Sequence, residues 1–434
     1  MRGRSRFTWL TLMATTAALI LAGCGGDGGG SQELSDKPVT LRFTWWGSDA
    51  RHTQTRKAID LFHKEHPNIT VKGEFKEWNG YWDSLATTVA ANDAPDIIQM
   101  DELYLSSYAE RGALLDLGTA KKHLDVASYD PKVLATGAIK GKQYGLPTGV
   151  TSYAIFVNTD LLATYKIAMP DENTWSWDDL KAVGAEISKA SGGKVKGIQS
   201  WGFDTGALNI WARQAGTSLY DAKGNVAIPP GVLTGFWSYL NDLARTGVAP
   251  AASVTVESAG GPMEMGPMAT KKAVLGTGWS SQLTSMITVS GGAPLRLLKL
   301  PGESGAASPG VYLKPTMFWS ISSRTKHPAE AALFLDFLGN DAQAAEILMT
   351  DRGFPANSKY KAAISGRLTG PDAAVAKHLE SLTPGPPPLA TPTGASNIEA
   401  ILKRHTEDVL FGRMTPDKAA TSFIAELQAE IDAA

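Results

Sequence analysis

Between Val39 and Arg111 the apolar residues change period five times, and this alternation constrains the fold more than any other feature of the chain. Val39 to Trp45 alternates, with Val39, Leu41 and Phe43 on one face and Thr40, Arg42 and Thr44 on the other, the pattern of a half-buried strand. A helical face follows through Ala58, Ile59, Leu61 and Phe62, and His66-Pro67-Asn68 stops it. "ITVKGEF" is strand-like again, with Ile69, Val71 and Phe75 on one side. Tyr81 to Ala91 returns to helical spacing through Leu85 and Val89 until Ala94-Pro95 breaks it. "DIIQM" has the composition of a short buried strand, and Leu103 to Arg111 reads as a helix. The order β-α-β-α-β-α argues for an open, mainly parallel sheet with helices on its faces.

"GKQYGLPTGVTSYAIFVN" interrupts this rhythm with two extended runs separated by a Gly-Pro-Gly cluster. The interval Gly145–Gly149 is therefore the expected first crossing between two lobes. A helix restarts over Trp175 to Ala190, where Ser176-Trp177-Asp178-Asp179 fits a capping pattern. Helical segments near Trp211, Phe236–Leu243, Glu330–Leu338 and Ala342–Met349 continue an α/β body. Loops rich in Pro and Gly fall at 258–267, 301–310 and 383–394. No internal repeat is visible, which argues against solenoids and propellers.

The chain has one cysteine, Cys24, so no intramolecular disulfide can form. Arg2, Arg4 and Arg6 precede an apolar or small stretch from Phe7 to Leu21, the layout of a secretory leader. Five glycines follow within residues 25–30, a poor setting for a buried thiol. Leu21-Ala22-Gly23-Cys24 resembles a bacterial lipobox, which implies cleavage before Cys24 and acylation of its sulfur and new amine. Residues 1–23 are then a leader, and residues 24–38 a flexible tether from the bilayer. No apolar run after Cys24 is long enough to span a membrane.

Lys and Arg number 41 against 43 Asp and Glu. With no basic run among them, nucleic-acid binding has little support. There is no G-x-S-x-G elbow, Walker phosphate loop or dinucleotide glycine fingerprint. "SGGKVKG" at 191–197 lacks phosphate-loop spacing and reads as a turn. His63 and His66 in "HKEH" miss the zinc-peptidase arrangements and read as solvated residues at a helix end, with zinc as the alternative. Paired carboxylates for glycoside hydrolysis need not be close in sequence, and nothing local nominates a pair.

Aromatic and polar residues instead gather where an open α/β sheet binds ligands, outside the carboxyl ends of its strands. The first strand runs into Trp45-Trp46-Gly47-Ser48-Asp49, with Arg51 beyond. Trp78, Tyr81 and Trp82 follow the second strand, and Asp101-Glu102 the third. Later come Trp201 with Asp204, Trp211, Trp279 and Trp319. An indole covers the C–H face of a sugar ring, while Asp and Arg suit its hydroxyl edge. Each residue also has a structural reading. Trp45 suits a strand core, Trp175, Trp177 and Trp237 suit helix packing, Asp101 suits a helix cap, and Arg352 suits a surface ion pair. Trp46, Trp78 and Trp279, which follow or interrupt regular elements, are balanced between core and cleft.

"WWGSDAR", "IDLFHKEHPNITVKGEF", "APDIIQMD", "YAERGALLDL", "WSWDDLKA", "TKKAVLGTGWSSQL", "SSRTKHPAEAALFLDFL" and "RGFPAN" together resemble the extracellular solute-binding proteins of carbohydrate ABC importers, from about residue 39 onward. The resemblance implies two α/β lobes, each a mainly parallel sheet flanked by helices and joined by hinge crossings. It places residues 39–147 and about 299–322 in the first lobe, and 148–298 and about 323–434 in the second. It implies a monomeric, extracellular, lipid-anchored receptor without cofactor or metal, delivering a sugar to permease subunits served by a separate ATPase. The alternative is a secreted carbohydrate-active enzyme. Asp101 matches an acidic residue that contacts sugar hydroxyls, and Trp279 and Trp211 match stacking aromatics. Asp49 and Arg51 fall in the polar loop after the first strand. Trp46, Trp78, Trp201, Trp319 and Arg352 complete the expected cleft. "WWGSDARH" with "EWNGYWDSLATTVA" looks like binders of plant-cell-wall oligosaccharides, for which Arg51, Arg213 and Arg352 would meet a uronate carboxylate.

Overall fold

The computed structural model describes residues 33–434; the leader and Cys24 lie outside the described residues. The alternation read from the sequence forms β1 (Val39–Trp46), α1 (Asp49–Glu65), β2 (Ile69–Lys76), α2 (Trp78–Ala90), β3 (Ile97–Met100) and α3 (Glu102–Glu110). Both β2 and β3 pair parallel to β1, which brings the carboxyl ends of all three strands to one edge. The strand Phe318–Ile321 then pairs antiparallel to β3, and Leu146–Pro147 closes the five-stranded sheet. Val39, Leu41, Phe43 and Trp45 face Phe62 of α1 in the first core. Burial of each such side chain contributes roughly 1.5–3 kcal/mol. The Trp45 indole N–H is satisfied by His52 Nδ1 at 3.0 Å.

The second lobe is built on a four-stranded sheet in the order Leu295–Leu298, Tyr153–Asn158, Ala273–Trp279, Lys196–Ile198. Its core holds Ile155, Val157, Trp175, Leu180, Ile187 and Trp237. The helix Trp177–Ala190 opens with the capping box anticipated at Ser176, whose side chain and Asp179 satisfy each other's backbone N–H groups. Each sheet has one strand running against the rest, and the reason is shared. Tyr153–Asn158 and Phe318–Ile321 are each entered directly after the chain passes between lobes. A chain arriving from the interlobe edge must run away from it, whereas the parallel strands run toward it.

A separate three-stranded sheet joins the lobes: Gly149–Thr151 in the centre, flanked antiparallel by Lys314–Pro315 and Phe354–Pro355. At two glycines the backbones approach too closely for a side chain. A Cβ at Gly149 would lie 2.7 Å from the Phe354 carbonyl oxygen, and Gly353, at φ +94°, would collide with Thr316 Oγ1.

Lobe membership differs from the sequence reading in two places. Residues 328–364 were expected in the second lobe, but Phe334, Leu335, Leu338, Tyr360 and Ile364 complete the first core. Conversely, Leu300, Val311 and Tyr312, expected in the first lobe, pack in the second core. Helices with two apolar faces go to whichever sheet leaves a surface open, and that surface is defined by strands far away in the chain. Ile364 lies in the first core and Val375 in a cluster with Ala154 and Phe156 of the second lobe, so the third passage falls between them. Of the expected tether, residues 33–38 are all exposed, and they touch the body where the Ser35 N–H donates to Glu330 Oε1 at 2.6 Å and Glu33 pairs with Lys122.

Candidate functional site

The two sheets direct their interlobe edges at a shared cleft of about 2020 Å³, lined by residues from Trp46 to Lys403. From the first lobe come the ends of β1 and β3 and the starts of α1, α2 and α3. From the second come Tyr153, Trp201, Asp204, Trp279, Tyr312 and Glu399. Asp101 follows β3 directly and takes the helix-cap role weighed for it. Its Oδ1 accepts the Leu103 N–H at 3.0 Å and caps α3, while its Oδ2 accepts from Lys314 Nζ at 2.9 Å.

Lys314 is the electrostatic centre of the site. It leaves the hinge sheet, is 7% exposed, and reaches Asp101 and, at 3.7 Å, Glu102. Burial works against its charge, but the two carboxylates more than offset this and raise its pKa above the ordinary lysine value. Burial pushes Glu102 up to about 7, with Asp101 adding to the rise and Lys314 opposing it. Glu399 is likewise pushed up to about 7, first by burial and then by Asp101 and Asp204. Asp204 is raised by burial and held back by the Tyr153 hydroxyl, which donates to Oδ2 at 2.8 Å, and by the Gly206 N–H.

Aromatic rings supply the rest of the lining. Trp46 is nearly buried, lines the cleft and meets Trp78 and Tyr81 edge-on at 5.0 and 5.3 Å. Trp78 opens α2 and donates its indole N–H to Glu399 Oε2 at 3.3 Å, a contact between lobes. Trp279 ends its strand half-buried, with Tyr153 and Tyr312 edge-on and Lys314 Nζ 5.3 Å from its ring centre. Trp201 reaches the cleft but packs mainly against Trp177 and Tyr239. Asp49, in the first turn of α1, is exposed in the cleft.

Several expected contacts are elsewhere. Trp319 is 2% exposed inside the first core, because its strand is internal to the sheet. Trp211 does not line the cleft; its indole donates to the Val232 carbonyl and packs among Trp177, Phe236 and Tyr239. Arg352 is neither a surface pair nor a lining group. It is buried with Nε on Gln99 Oε1 at 2.9 Å and Nη2 on Thr55 Oγ1 at 2.8 Å, and burial pushes it down to about 10 against the pull of Asp351. Arg51 does line the cleft, but its Nε pairs with Asp351 Oδ2 at 2.7 Å and its Nη1 donates to the Trp46 carbonyl. Sequence reasoning missed Lys314, Glu399, Tyr153 and Tyr312. Lysine and helical glutamate are commonest on open surface, so their identity carries no signal.

The chain matches the family of bacterial extracellular solute-binding proteins over residues 48–345. It is 24% identical to the maltodextrin-binding protein of Bacillus subtilis, covering 86% of each chain. An uncharacterised lipoprotein of Streptomyces antibioticus is also 24% identical, over 81% of this chain and 77% of the relative. Among solved structures, the oligogalacturonide-binding protein of Yersinia enterocolitica in complex with saturated digalacturonic acid superposes with a TM-score of 0.80. It is 26% identical, covering 91% of this chain and 100% of the other.

Proposed function

The chain belongs to the bacterial extracellular solute-binding proteins, and from that premise we propose that it is the sugar receptor of an ABC importer. It captures an oligosaccharide in the interlobe cleft and hands it to separate permease and ATPase chains, without turning it over. The observation carrying this reading is the cleft, where indoles and carboxylates from both lobes meet at strand ends. Trp46, Trp78 and Trp279 cover apolar ring faces; Asp49, Asp101 and Asp204 accept from hydroxyls. The relatives named for maltodextrin and oligogalacturonide support a saccharide as the solute.

A sugar touching both lobes favours the closed arrangement through its differential affinity for it. Thermal shift across mono-, di- and oligosaccharides therefore finds a sugar that raises the melting temperature. Small-angle scattering with that sugar shows a more compact particle, and the sugar is recovered intact. Steady product release at about 1 per second or faster overturns the receptor reading in favour of a hydrolase.

Cys24 anchors the receptor to the outer face of the cell membrane; the lipoprotein relative supports this assignment. More than one acyl chain holds a protein stably where a single chain is marginal. Cys24→Ser is expected to move the protein from the membrane fraction to the medium, or to leave it unprocessed. An unmodified native N-terminus in mass spectrometry refutes the anchor.

A further inference from the structure

Ten carboxylates against six lysines and arginines line the cleft, and the imbalance is sharpest where the lobes meet. Asp101, Glu102, Asp204 and Glu399 surround Lys314 there. Lys314 is committed to Asp101 and Glu102. Asp204 has the Tyr153 hydroxyl and the backbone N–H groups of Gly206 and Ala207 for its oxygens, and Glu399 has the Trp78 indole at 3.3 Å. Neither makes an ion pair with another described residue. The arginines that would balance them are engaged elsewhere. Arg51 holds Asp351, Arg352 holds Gln99 and Thr55, and Arg213 donates to the carbonyls of Gly310 and Pro386 while lying over the Tyr312 ring.

Resting on the saccharide-receptor reading, we infer that the bound sugar carries a positive charge: an amino sugar whose ammonium sits beside Glu399 and Asp204. An ammonium donates to carboxylates that otherwise make no ion pair. Tyr104 and Trp78, beside Glu399, add ring faces that attract a cation. A uronate would instead bring another carboxylate into a site whose arginines are all occupied, and like charges there repel. The elevated Glu399 and Glu102 carboxyls fit the same picture. Glu399 is faced by Asp101, Asp204, Lys314 and Trp78, a set dominated by negative charge that an incoming cation relieves.

The test uses the mature chain and isothermal titration with three matched series of two to four units: β-1,4-glucosamine oligomers, β-1,4-glucose oligomers and galacturonate oligomers, near neutral pH. The glucosamine series is expected to bind at least about tenfold tighter than the glucose series, with the galacturonate series weakest. Glu399→Gln, which keeps shape and hydrogen bonding, should weaken glucosamine binding about tenfold and glucose binding by less than about threefold. Tightest binding by glucose or galacturonate oligomers, or equal losses in Glu399→Gln, overturns the charge assignment and leaves the receptor reading standing. Binding of none of the three, with no sugar shifting the melting temperature, overturns both.

Discussion

Lys314→Met is expected to cost about 3–5 kcal/mol of folding stability at pH 7, because it strands Asp101 and Glu102 beside the hinge sheet without a cation. Methionine preserves the volume and the contact with Trp279, so the loss reports charge and not a cavity. The sign of its pH dependence follows from the carboxylates. Burial already holds Glu102 near 7 in the natural chain, and removing the lysine that opposes this rise moves it further above its unfolded value. The folded variant then binds protons that the unfolded chain does not, so its stability falls as pH rises through that window. The deficit against the natural protein should shrink as pH is lowered from 7 toward 4.5. Urea unfolding at several pH values measures it. Adding Asp101→Asn and Glu102→Gln to Lys314→Met should recover most of the loss, since a neutral site has no charge to strand. An unchanged midpoint at pH 7 refutes the role given to Lys314.

Trp279→Ala is expected to weaken binding of the tightest sugar by about 2–4 kcal/mol, roughly thirty-fold or more, while the fold survives. Trp279 is half-buried, ends its strand at the cleft and holds Tyr153 and Tyr312 edge-on. Removing the indole therefore takes away a stacking face and loosens the two phenols beside it. Titration calorimetry measures the affinity, and scattering should show no compaction at a sugar concentration that closes the natural protein. Ordinary affinity in the variant removes Trp279 from the wall of the binding site.

The local order of elements in the first lobe was legible because each strand and helix carries its own periodicity. Phe43 and Trp45 on one strand, and Ala58 and Phe62 on one helix, declare a buried face without reference to anything distant. Ser176 with Asp179 declared a helix start for the same reason, since the capping partners are three residues apart. Asp101 was legible as a cleft residue because it directly follows a strand that points at the cleft, and the parallel order of β1, β2 and β3 fixes where such strands end.

What the tertiary structure decided depends on partners hundreds of residues apart. Whether Trp319 faces a core or a sugar rests on its strand lying between β3 and Leu146–Pro147, and the residues around it do not encode that neighbourhood. Arg352 was open to ligand and surface alike until Gln99 and Thr55 claimed it in the interior. The helices over 328–348 have an apolar face, but the first lobe receives it because the back of β1 and α1 is uncovered there. Lys314 became the pivot of the site only when the hinge sheet set it against Asp101, 213 residues earlier. Periodicity records which face of an element is buried. Only the assembled fold specifies what buries it, because that depends on the surfaces all the other elements leave open.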